Sequence, residues 1–375
     1  MSYTVLARRY RSRDFDEVVG QEPIAQTLAR AIDADRVAHA YLFCGTRGVG
    51  KTSMARIFAK ALAGGGDDVD KAIMEGRDQD VIEIDGASNN RVEEARELIA
   101  NSVYRPLRGK RKVYIIDEVH MLTTAAFNAL LKTMEEPPEH VVFILCTTEA
   151  HKVPATIQSR CQRFDFRNIS SDRIGEHLRG VIEQEGVTAE PELIARIARL
   201  GNGSMRDALS LLDRVMAAGE KSLSVELLER LLGLPAREIV TGLLQAVASG
   251  DAKGALEAGQ QRIEAGTSID QVLESLLERL RDVMVLCACG PETEMVELSG
   301  DARRVEAELA QHFDAPGVVH MVALTESVQR SAKNSPVPRA LLDALLVRLA
   351  MTEKLADVTA LARELAGSGA GSGKG

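Results

Sequence analysis

The clearest chemistry in this sequence lies in a glycine-rich segment near residue 50. It reads Gly45-Thr46-Arg47-Gly48-Val49-Gly50-Lys51-Thr52 and is followed by Ser53. This string fits the pattern G-x-x-x-x-G-K-[ST] and falls between a predicted strand and a predicted helix, as a phosphate-binding loop must. Glycines let backbone N–H groups wrap a phosphate, and the helix N-terminus adds a favourable dipole. Lys51 would face the β- and γ-phosphates, and Thr52 would ligate Mg²⁺. The alternative, a chance glycine turn, is disfavoured by the position of the string between a strand and a helix.

Two carboxylates follow the apolar run Val113–Ile116. Asp117 would hold the Mg²⁺ directly or through water, as the acid at the end of this strand does in phosphate-loop NTPases. Glu118 is placed to polarise an attacking water, which suits hydrolysis better than transfer to a small acceptor. Two acids after a strand could form a solvated turn, but the phosphate loop upstream disfavours that alternative.

A hydroxyl and two arginines complete the candidate site. Thr148 follows the strand Val141–Cys146 and can hydrogen-bond the γ-phosphate or the water. Arg160 lies on the rim beyond that strand and suggests a finger donated to the ATP of a neighbouring subunit. Arg206 falls in the first turn of a later helix and could touch the γ-phosphate of its own subunit. Each arginine taken singly is also compatible with a surface salt bridge.

Short apolar runs alternate with helical patterns up to Arg167 and would position these residues. The runs are short and apolar or β-branched, as expected for strands covered on both faces. Such alternation predicts an α/β fold with a mainly parallel sheet and right-handed crossovers. The predicted strands are Tyr41–Cys44, Val81–Ile84, Val113–Ile116, Val141–Cys146 and Arg163–Phe166.

From Ser170 onward the sequence predicts helices and no further strand. Three short helices come first, and a second all-helical stretch runs from about Ser224 to Ala366. Its clearest helix begins after Ser268, a good N-cap residue. The last nine residues are glycine- and serine-rich and predict a disordered linker. The predicted division is residues 1–168, 169–222, 223–366 and 367–375.

Composition narrows the functional class. The net charge of −9 over 375 residues argues against a protein that coats nucleic acid along its whole surface. No apolar run approaches the ~18 residues of a membrane span. The absence of a signal peptide and the scatter of the cysteines predict reduced thiols in the cytoplasm. The five cysteines are Cys44, Cys146, Cys161, Cys287 and Cys289.

Several longer strings resemble one family, the gamma/tau clamp-loader subunits of bacterial DNA polymerase III. They run in the same order over residues 2–215, and beyond Ser224 the likeness rests mostly on position. The strings are TVLARR from Thr4, FDEVVGQ from Phe15, GTRGVGKTS, IIDEVHMLT, FNALLKTMEEPPEH, TTEAHKVPATIQSRC and GSMRDALSLLD.

The resemblance implies an AAA+ fold: a phosphate-loop NTPase core, a helical lid and a helical collar through which subunits form a ring. Thr148 is similar to sensor 1, Arg160 to the trans-acting finger and Arg206 to sensor 2. Residues similar to those that lie near adenine and ribose are Tyr10, Val18 and Val19.

The implied function is that of an ATPase stimulated by DNA and by the clamp. Members of the family open a ring-shaped sliding clamp and close it around primed DNA, as part of a polymerase complex without being the polymerase. The implied partners are delta-type and delta-prime-type subunits, copies of the chain itself, the sliding clamp and primer–template DNA.

One stretch departs from the family pattern. The family normally carries four zinc-binding cysteines between the phosphate-loop helix and the second strand. Here that stretch is Ala63–Asp70, shortened and without cysteine. ATP and Mg²⁺ are therefore the expected cofactors, and zinc is not.

Two short segments are candidates for DNA contact. Asn89, Asn90 and Arg91 precede a helix that starts near Val92, whose end could help to hold a phosphate. A local basic run follows, for which a solvated turn is an equal alternative. Its members are Arg105, Arg108, Lys110, Arg111 and Lys112.

Three functions of different classes fit these residues. The first is the clamp-loader ATPase, and the second is a related hexameric DNA motor such as a branch-migration helicase. The third is an ATPase-dead structural subunit of the clamp loader. The S-R-C and E-E-P-P strings favour a loader over a helicase, and the intact Lys51, Thr52, Asp117 and Glu118 disfavour a dead subunit.

Overall fold

The computed structural model describes residues 4–64, 66–88, 92–232, 237–264, 266–293, 295–296 and 300–351. The chain divides into two compact units, Met1–Leu223 and Ser224–Gly375. Within the described ranges no helix is both long enough and apolar enough to cross a membrane.

A five-stranded parallel sheet forms the centre of the first unit. Its spatial order is β2-β3-β4-β1-β5, and every pairing is parallel. The predicted strands are all present, with ends shifted by one residue at most. This confirms the α/β prediction and gives the core the AAA+ type of architecture. The strands are β1 (Ala40–Cys44), β2 (Val81–Asp85), β3 (Lys112–Asp117), β4 (Val141–Thr147) and β5 (Gln162–Asp165).

Helices cover both faces of this sheet, because alternate residues of the central strands are apolar and buried on each side. Tyr41 packs on Phe58 with ring centroids 4.8 Å apart, and on the other face Tyr114 stacks on Phe143. The helices of this unit are α1 (Leu6–Arg9), α2 (Glu22–Asp33), α3 (Lys51–Ala63), α4 (Asp67–Glu75), α5 (Val92–Ser102), α6 (Thr124–Glu135), α7 (Ala155–Gln158), α8 (Ser171–Gln184), α9 (Pro191–Leu200) and α10 (Met205–Met216).

The prediction that no strand follows Ser170 was wrong. Two-residue strands, β6 (Thr188–Ala189) and β7 (Ser222–Leu223), pair in parallel beside helices α8 to α10. They form because the segment before α9 lies beside the segment after α10, where the Thr188 N–H donates to the carbonyl of Lys221. Two residues are too few to show the alternation by which a strand is recognised in a sequence.

The second unit is helical throughout its described part. Ser268 caps its longest helix through a capping box with Gln271, which confirms the predicted N-cap. Leucines such as Leu273 and Leu280 pack with Leu346 in a single apolar core. The predicted tail, 367–375, lies outside the described residues. The helices are α11 (Val225–Leu232), α12 (Arg237–Ala248), α13 (Ala252–Glu264), α14 (Ile269–Cys289), α15 (Gly300–Ala310), α16 (Ala315–Ala332) and α17 (Pro338–Ala350).

Candidate nucleotide-binding site

The glycine-rich segment joins β1 to α3 and forms one wall of a cavity of about 410 Å³. Gly48 and Gly50 have φ values of 77° and 99°, a region that L side chains rarely adopt. An ideal Cβ on Gly50 would meet nothing within 4 Å, so that position leaves open space beside the loop. A Cβ on Gly48 would lie only 1.9 Å from the Ser204 hydroxyl, because the start of α10 packs closely against the loop.

Lys51 is held by the loop that it follows. Its ammonium group donates to the carbonyl oxygens of Gly45 and Thr46, each at 2.8 Å. The side chain is buried, and burial lowers the pKa of Lys51 below its ordinary value. The carbonyl groups of Gly45 and Thr46 therefore orient the lysine side chain. Neither of these two residues lines the cavity. The other predicted loop residues line it: Arg47, Gly48, Val49, Gly50, Lys51, Thr52 and Ser53.

The structure brings the predicted metal ligands and the predicted water-activating acid together. The Thr52 hydroxyl donates to Asp117 Oδ2 at 2.7 Å, which gives two adjacent oxygen ligands of the kind that Mg²⁺ prefers. Glu118 begins the turn after β3 with φ 45°, and its Oε2 accepts from the Thr148 hydroxyl at 3.0 Å. Thr148 does not itself line the cavity. The contact that the structure shows for its hydroxyl is the one with Glu118.

His120 is a neighbour of Glu118 that the sequence analysis missed. Its ring is almost fully buried, with Nδ1 3.0 Å from Thr147 Oγ1 and 3.4 Å from Glu118 Oε2. On the other side, Nε2 lies 3.1 Å from Glu149 Oε2. The only available signal was the position of this histidine two residues after the predicted acid.

Asp85 is a second missed residue, and it lines the cavity at the end of β2. In the register of the sheet it lies opposite Asp117. Hydrogen bonds from the Ser88 hydroxyl and the Ala87 N–H lower the pKa of its carboxyl. Asp85 could have been recognised from the sequence, because it follows a predicted parallel strand just as Asp117 does.

A largely apolar wall completes the cavity. It combines the N-terminal segment with Ile169 before α8, His177 within α8, and α10. It includes the predicted Tyr10, Val18 and Val19. Contacts between distant segments hold it together, since the Tyr10 hydroxyl bonds to the carboxylate of Glu185 after α8. Residues of the cavity lining that the sequence analysis missed are Ala7, Arg11, Ser12, Ile169, His177, Met205 and Leu209.

The two predicted arginines lie in different places. Arg206 lines the cavity from the first turn of α10. Arg160 does not line it, and its guanidinium bonds to Glu135 Oε1 at 2.6 Å and to the carbonyl of Thr156 at 2.7 Å.

The candidate DNA residues that the structure describes are separate from the cavity lining. Arg105 is exposed on the loop between α5 and β3. Lys112 is not part of an exposed basic run, because it is buried at the start of β3 and donates to the carbonyl of Asn101. Asn89, Asn90 and Arg91 lie outside the described residues.

Three protein-family models match consecutive parts of the chain. They are "DNA polymerase III, delta subunit" over residues 20–170, "DNA polymerase III clamp loader subunit, ATPase lid domain" over 173–221, and "DNA polymerase III subunits gamma and tau domain III" over 223–365.

Curated relatives agree with these matches. DNA polymerase III subunit gamma of Buchnera aphidicola is 38% identical over 289 residues, which cover 75% of this chain and 80% of that protein. Subunit tau of Escherichia coli is 43% identical over 80% of this chain and 48% of that protein. Subunit tau/gamma of Haemophilus influenzae is 38% identical over 90% of this chain and 49% of that protein. The chain thus spans about half the length of the latter two relatives.

Solved structures give more distant likenesses. The Thermotoga maritima RuvB Holliday junction branch migration motor has a TM-score of 0.47 and 19% identity, over 64% of this chain and 79% of that one. The Bacillus subtilis clamp loader delta protein has a TM-score of 0.35 and 13% identity, over 87% and 99%. At these scores neither likeness bears on the function of this chain.

Proposed function

The chain belongs to the gamma/tau family of DNA polymerase III subunits, and from this premise we propose that it is an ATP-hydrolysing clamp-loader subunit. Within the bacterial DNA polymerase III holoenzyme it loads the sliding clamp onto primed DNA during replication. The observation that carries the proposal is the meeting of the phosphate loop, Asp117, Glu118 and Arg206 in one cavity.

The cavity fits a nucleotide with Mg²⁺. The left-handed Gly50 leaves open space beside the loop, and the Thr52 hydroxyl and Asp117 carboxylate offer adjacent oxygen ligands for the metal. Mg²⁺ held there supplies positive charge to the β- and γ-phosphates. The apolar wall with Tyr10, Val18 and Val19 takes the base and ribose.

Hydrolysis requires a positioned water and stabilisation of developing negative charge. Glu118 orients and polarises the water, and the Thr148 hydroxyl fixes the carboxylate that does so. Lys51 and Arg206 contribute positive charge from the loop and from α10. Both belong to the chain that binds the nucleotide, so they act in cis.

The proposed organisation is an ATPase core over 1–168, a lid over 169–222, and a collar over 223–366 that joins the subunits of a ring. The spans of the lid and domain III family matches support these limits. In the ring, Arg160 serves the ATP site of a neighbouring copy. The partners are delta-type and delta-prime-type subunits, further copies of this chain, the sliding clamp and primer–template DNA, which Arg105 and residues 89–91 contact.

Zinc is not part of this proposal. The stretch that replaces the four-cysteine module carries three aspartates in the first turn of α4, namely Asp67, Asp68 and Asp70. Without Cys or His partners these carboxylates make a poor zinc site, since structural zinc is held mainly by thiolates and imidazoles.

A steady-state ATPase measurement tests the proposal. The chain is assembled with delta-type and delta-prime-type subunits and measured alone, with clamp, with primed DNA and with both. We expect hydrolysis that rises with clamp and DNA together and that disappears in an assembly carrying Lys51→Ala. A rate no higher than that of the Lys51→Ala assembly would show an ATPase-dead subunit and contradict the proposal.

A further inference from the structure

Arg11 is a charged residue of the cavity lining that the proposed function does not use. It follows Tyr10 in the N-terminal segment and is only partly exposed. Within the residues that the structure describes, its guanidinium has no hydrogen bond and no ion pair. None of its nitrogens is among the unpaired atoms that lack accessible surface, so the charged group reaches open space. Because Arg11 borders the cavity, that group is available to a ligand bound there.

The charged side chains around Arg11 are mainly positive. Burial is the largest cause that lowers the pKa of Arg11, and the charges of Arg56, Arg206 and Arg8 lower it further. Glu83 acts in the opposite direction, but Arg56 already binds both of its carboxylate oxygens, at 2.6 and 2.8 Å. Arg11 still carries its charge at pH 7, because a guanidinium does not lose its proton in proteins.

Other arginines of the same region are paired within the protein. Arg9 forms an ion pair with Glu185, and Arg56 donates to the carbonyl of Met74 in addition to its contacts with Glu83. An arginine that served only to stabilise the free fold would be expected to make such contacts. Arg11 makes none among the described residues, so packing of the free chain does not account for a cation at this position.

A partly buried cation without a counter-ion is unfavourable, since burial removes water that would otherwise solvate the charge. Arg206, whose charge acts on Arg11, also lines the cavity. An anion beside both guanidinium groups would relieve their mutual repulsion. The planar fork of N–H donors on an arginine matches phosphate oxygens, and such charge-assisted hydrogen bonds are stronger than neutral ones. A phosphate group therefore fits the chemistry of this position.

We propose that Arg11 binds the phosphate chain of the bound nucleotide, as a third cation besides Lys51 and Arg206. The inference rests on the proposed nucleotide-binding function and deepens it. The N-terminal segment, to which the proposed function gives only the base and ribose, would then hold phosphate as well.

The test is a competition binding experiment with ATP and with two ligands that each contain one half of it. Adenosine has the base and ribose, and inorganic tripolyphosphate has the phosphates. With Mg²⁺ present, each ligand displaces a ribose-labelled ATP whose own affinity is first measured for every variant. The variants are Arg11→Met and Arg11→Lys, and the control is Arg13→Met, which changes an exposed arginine of the same segment. Thermal melting verifies folding, and Arg11→Gln replaces the methionine variant if that variant is unfolded.

We expect Arg11→Met to bind both ATP and tripolyphosphate about 10- to 100-fold more weakly than the wild type, the usual effect of losing hydrogen bonds from a charged group. Adenosine should bind to both chains equally well. Arg11→Lys should recover part of the loss, because it keeps the charge without the fork. Arg13→Met should match the wild type. Without ligand, Arg11→Met should melt no lower than Arg13→Met, since the free chain loses only an unpaired charge.

Three results would overturn the inference while leaving ATP binding intact. The first is unchanged affinity of Arg11→Met for ATP and tripolyphosphate. The second is a loss confined to ATP and adenosine, which indicates contact with the base or ribose. The third is an equal loss for all three ligands with a lowered melting temperature, which indicates a structural role. Failure of the wild-type chain to bind ATP at all would instead refute the proposed function, and this inference with it.

Discussion

Glu118, the proposed water-activating acid, has both a strained backbone and a carboxylate held by neighbouring side chains. Its φ of 45° places a non-glycine residue in the left-handed region, which costs on the order of 1 kcal/mol or more. The Thr148 hydroxyl and the His120 ring both approach the same carboxylate oxygen. Backbone strain of this kind is typical of functional positions. Here it accompanies a carboxylate held by Thr148, just beyond β4, and approached by His120, in the turn after β3.

Replacing Glu118 should separate nucleotide binding from turnover. Glu118→Gln keeps the shape and the contact with Thr148 but loses the carboxylate that polarises water. We expect ATP affinity near that of the wild type and a turnover lower by a factor of ~10² or more. Lys51→Ala should instead weaken binding, and Glu139→Gln, in an exposed loop before β4, serves as the matched control. Hydrolysis by Glu118→Gln at the wild-type rate would remove its assigned role.

The buried ring of His177 predicts a specific dependence of stability on pH. Burial lowers its pKa below the ordinary 6.5, so the unfolded chain binds this proton at a higher pH than the native chain does. The free energy of unfolding should therefore fall as pH drops through 6.5 towards the lowered pKa, by at most about 1.4 kcal/mol per pH unit.

Denaturant unfolding of the wild type and His177→Phe, from pH 7.5 to pH 5, isolates this contribution. The wild-type stability minus that of the variant should decrease towards low pH, because only the wild type carries the depressed group. A difference that stays constant over the range, or that grows towards low pH, would contradict neutral burial of His177.

At the scale of elements, the sequence predicted what local pattern encodes. Each core strand is a short apolar run such as Val141–Cys146, and the phosphate loop has its own spacing, so both were recognisable. The short strands β6 and β7 could not be recognised in the sequence, since two residues are too few to show the alternation of a strand. The apolar wall was only half predicted, because Ile169, His177 and Leu209 join Val18 and Val19 through tertiary packing between segments 150 or more residues apart.

The contact between the phosphate loop and α10 gives a prediction about Gly48. Gly48→Ala would strain a φ of 77° and press on the Ser204 hydroxyl, which caps α10 by accepting from the Asp207 N–H. We expect a loss of about 1–2 kcal/mol from strain and about 1 kcal/mol more from the disturbed cap, together with weaker ATP binding.

Gly186→Ala is the control for strain alone, since Gly186 has φ 69° and a Cβ there would meet nothing within 4 Å. Thermal unfolding and ATP titration of the two variants compare strain with strain plus contact. Equal destabilisation and unchanged ATP affinity in both would show that the approach of Ser204 to Gly48 has no consequence.

At the scale of the whole molecule, the family and the site point to assembly. Arg206 belongs to the cavity of its own chain, whereas Arg160 lies outside that cavity and bonds to Glu135. A residue of this kind can act on ATP only from another copy, or it can be a structural rim residue. The sequence could not distinguish these possibilities, because the distinction depends on a neighbouring subunit.

Mixing two defective chains decides between them. Arg160→Ala chains keep an intact phosphate loop, and Lys51→Ala chains keep an intact Arg160. If Arg160 acts in trans, a mixed ring should recover part of the hydrolysis that each all-mutant ring loses, since such fingers contribute roughly 10³–10⁵ in rate where they have been measured. No recovery in a ring shown to assemble by gel filtration would leave Arg160 as a structural residue.

Clamp loading itself tests the central claim most directly. A labelled sliding clamp, nicked circular DNA, ATP and the reconstituted loader are mixed, and the clamp that travels with the DNA is separated by gel filtration. The account predicts that the clamp accompanies the DNA only when ATP and this chain are both present, and that the loader containing Lys51→Ala leaves it free. Equal loading when the chain is omitted, or when it carries Lys51→Ala, would contradict the account.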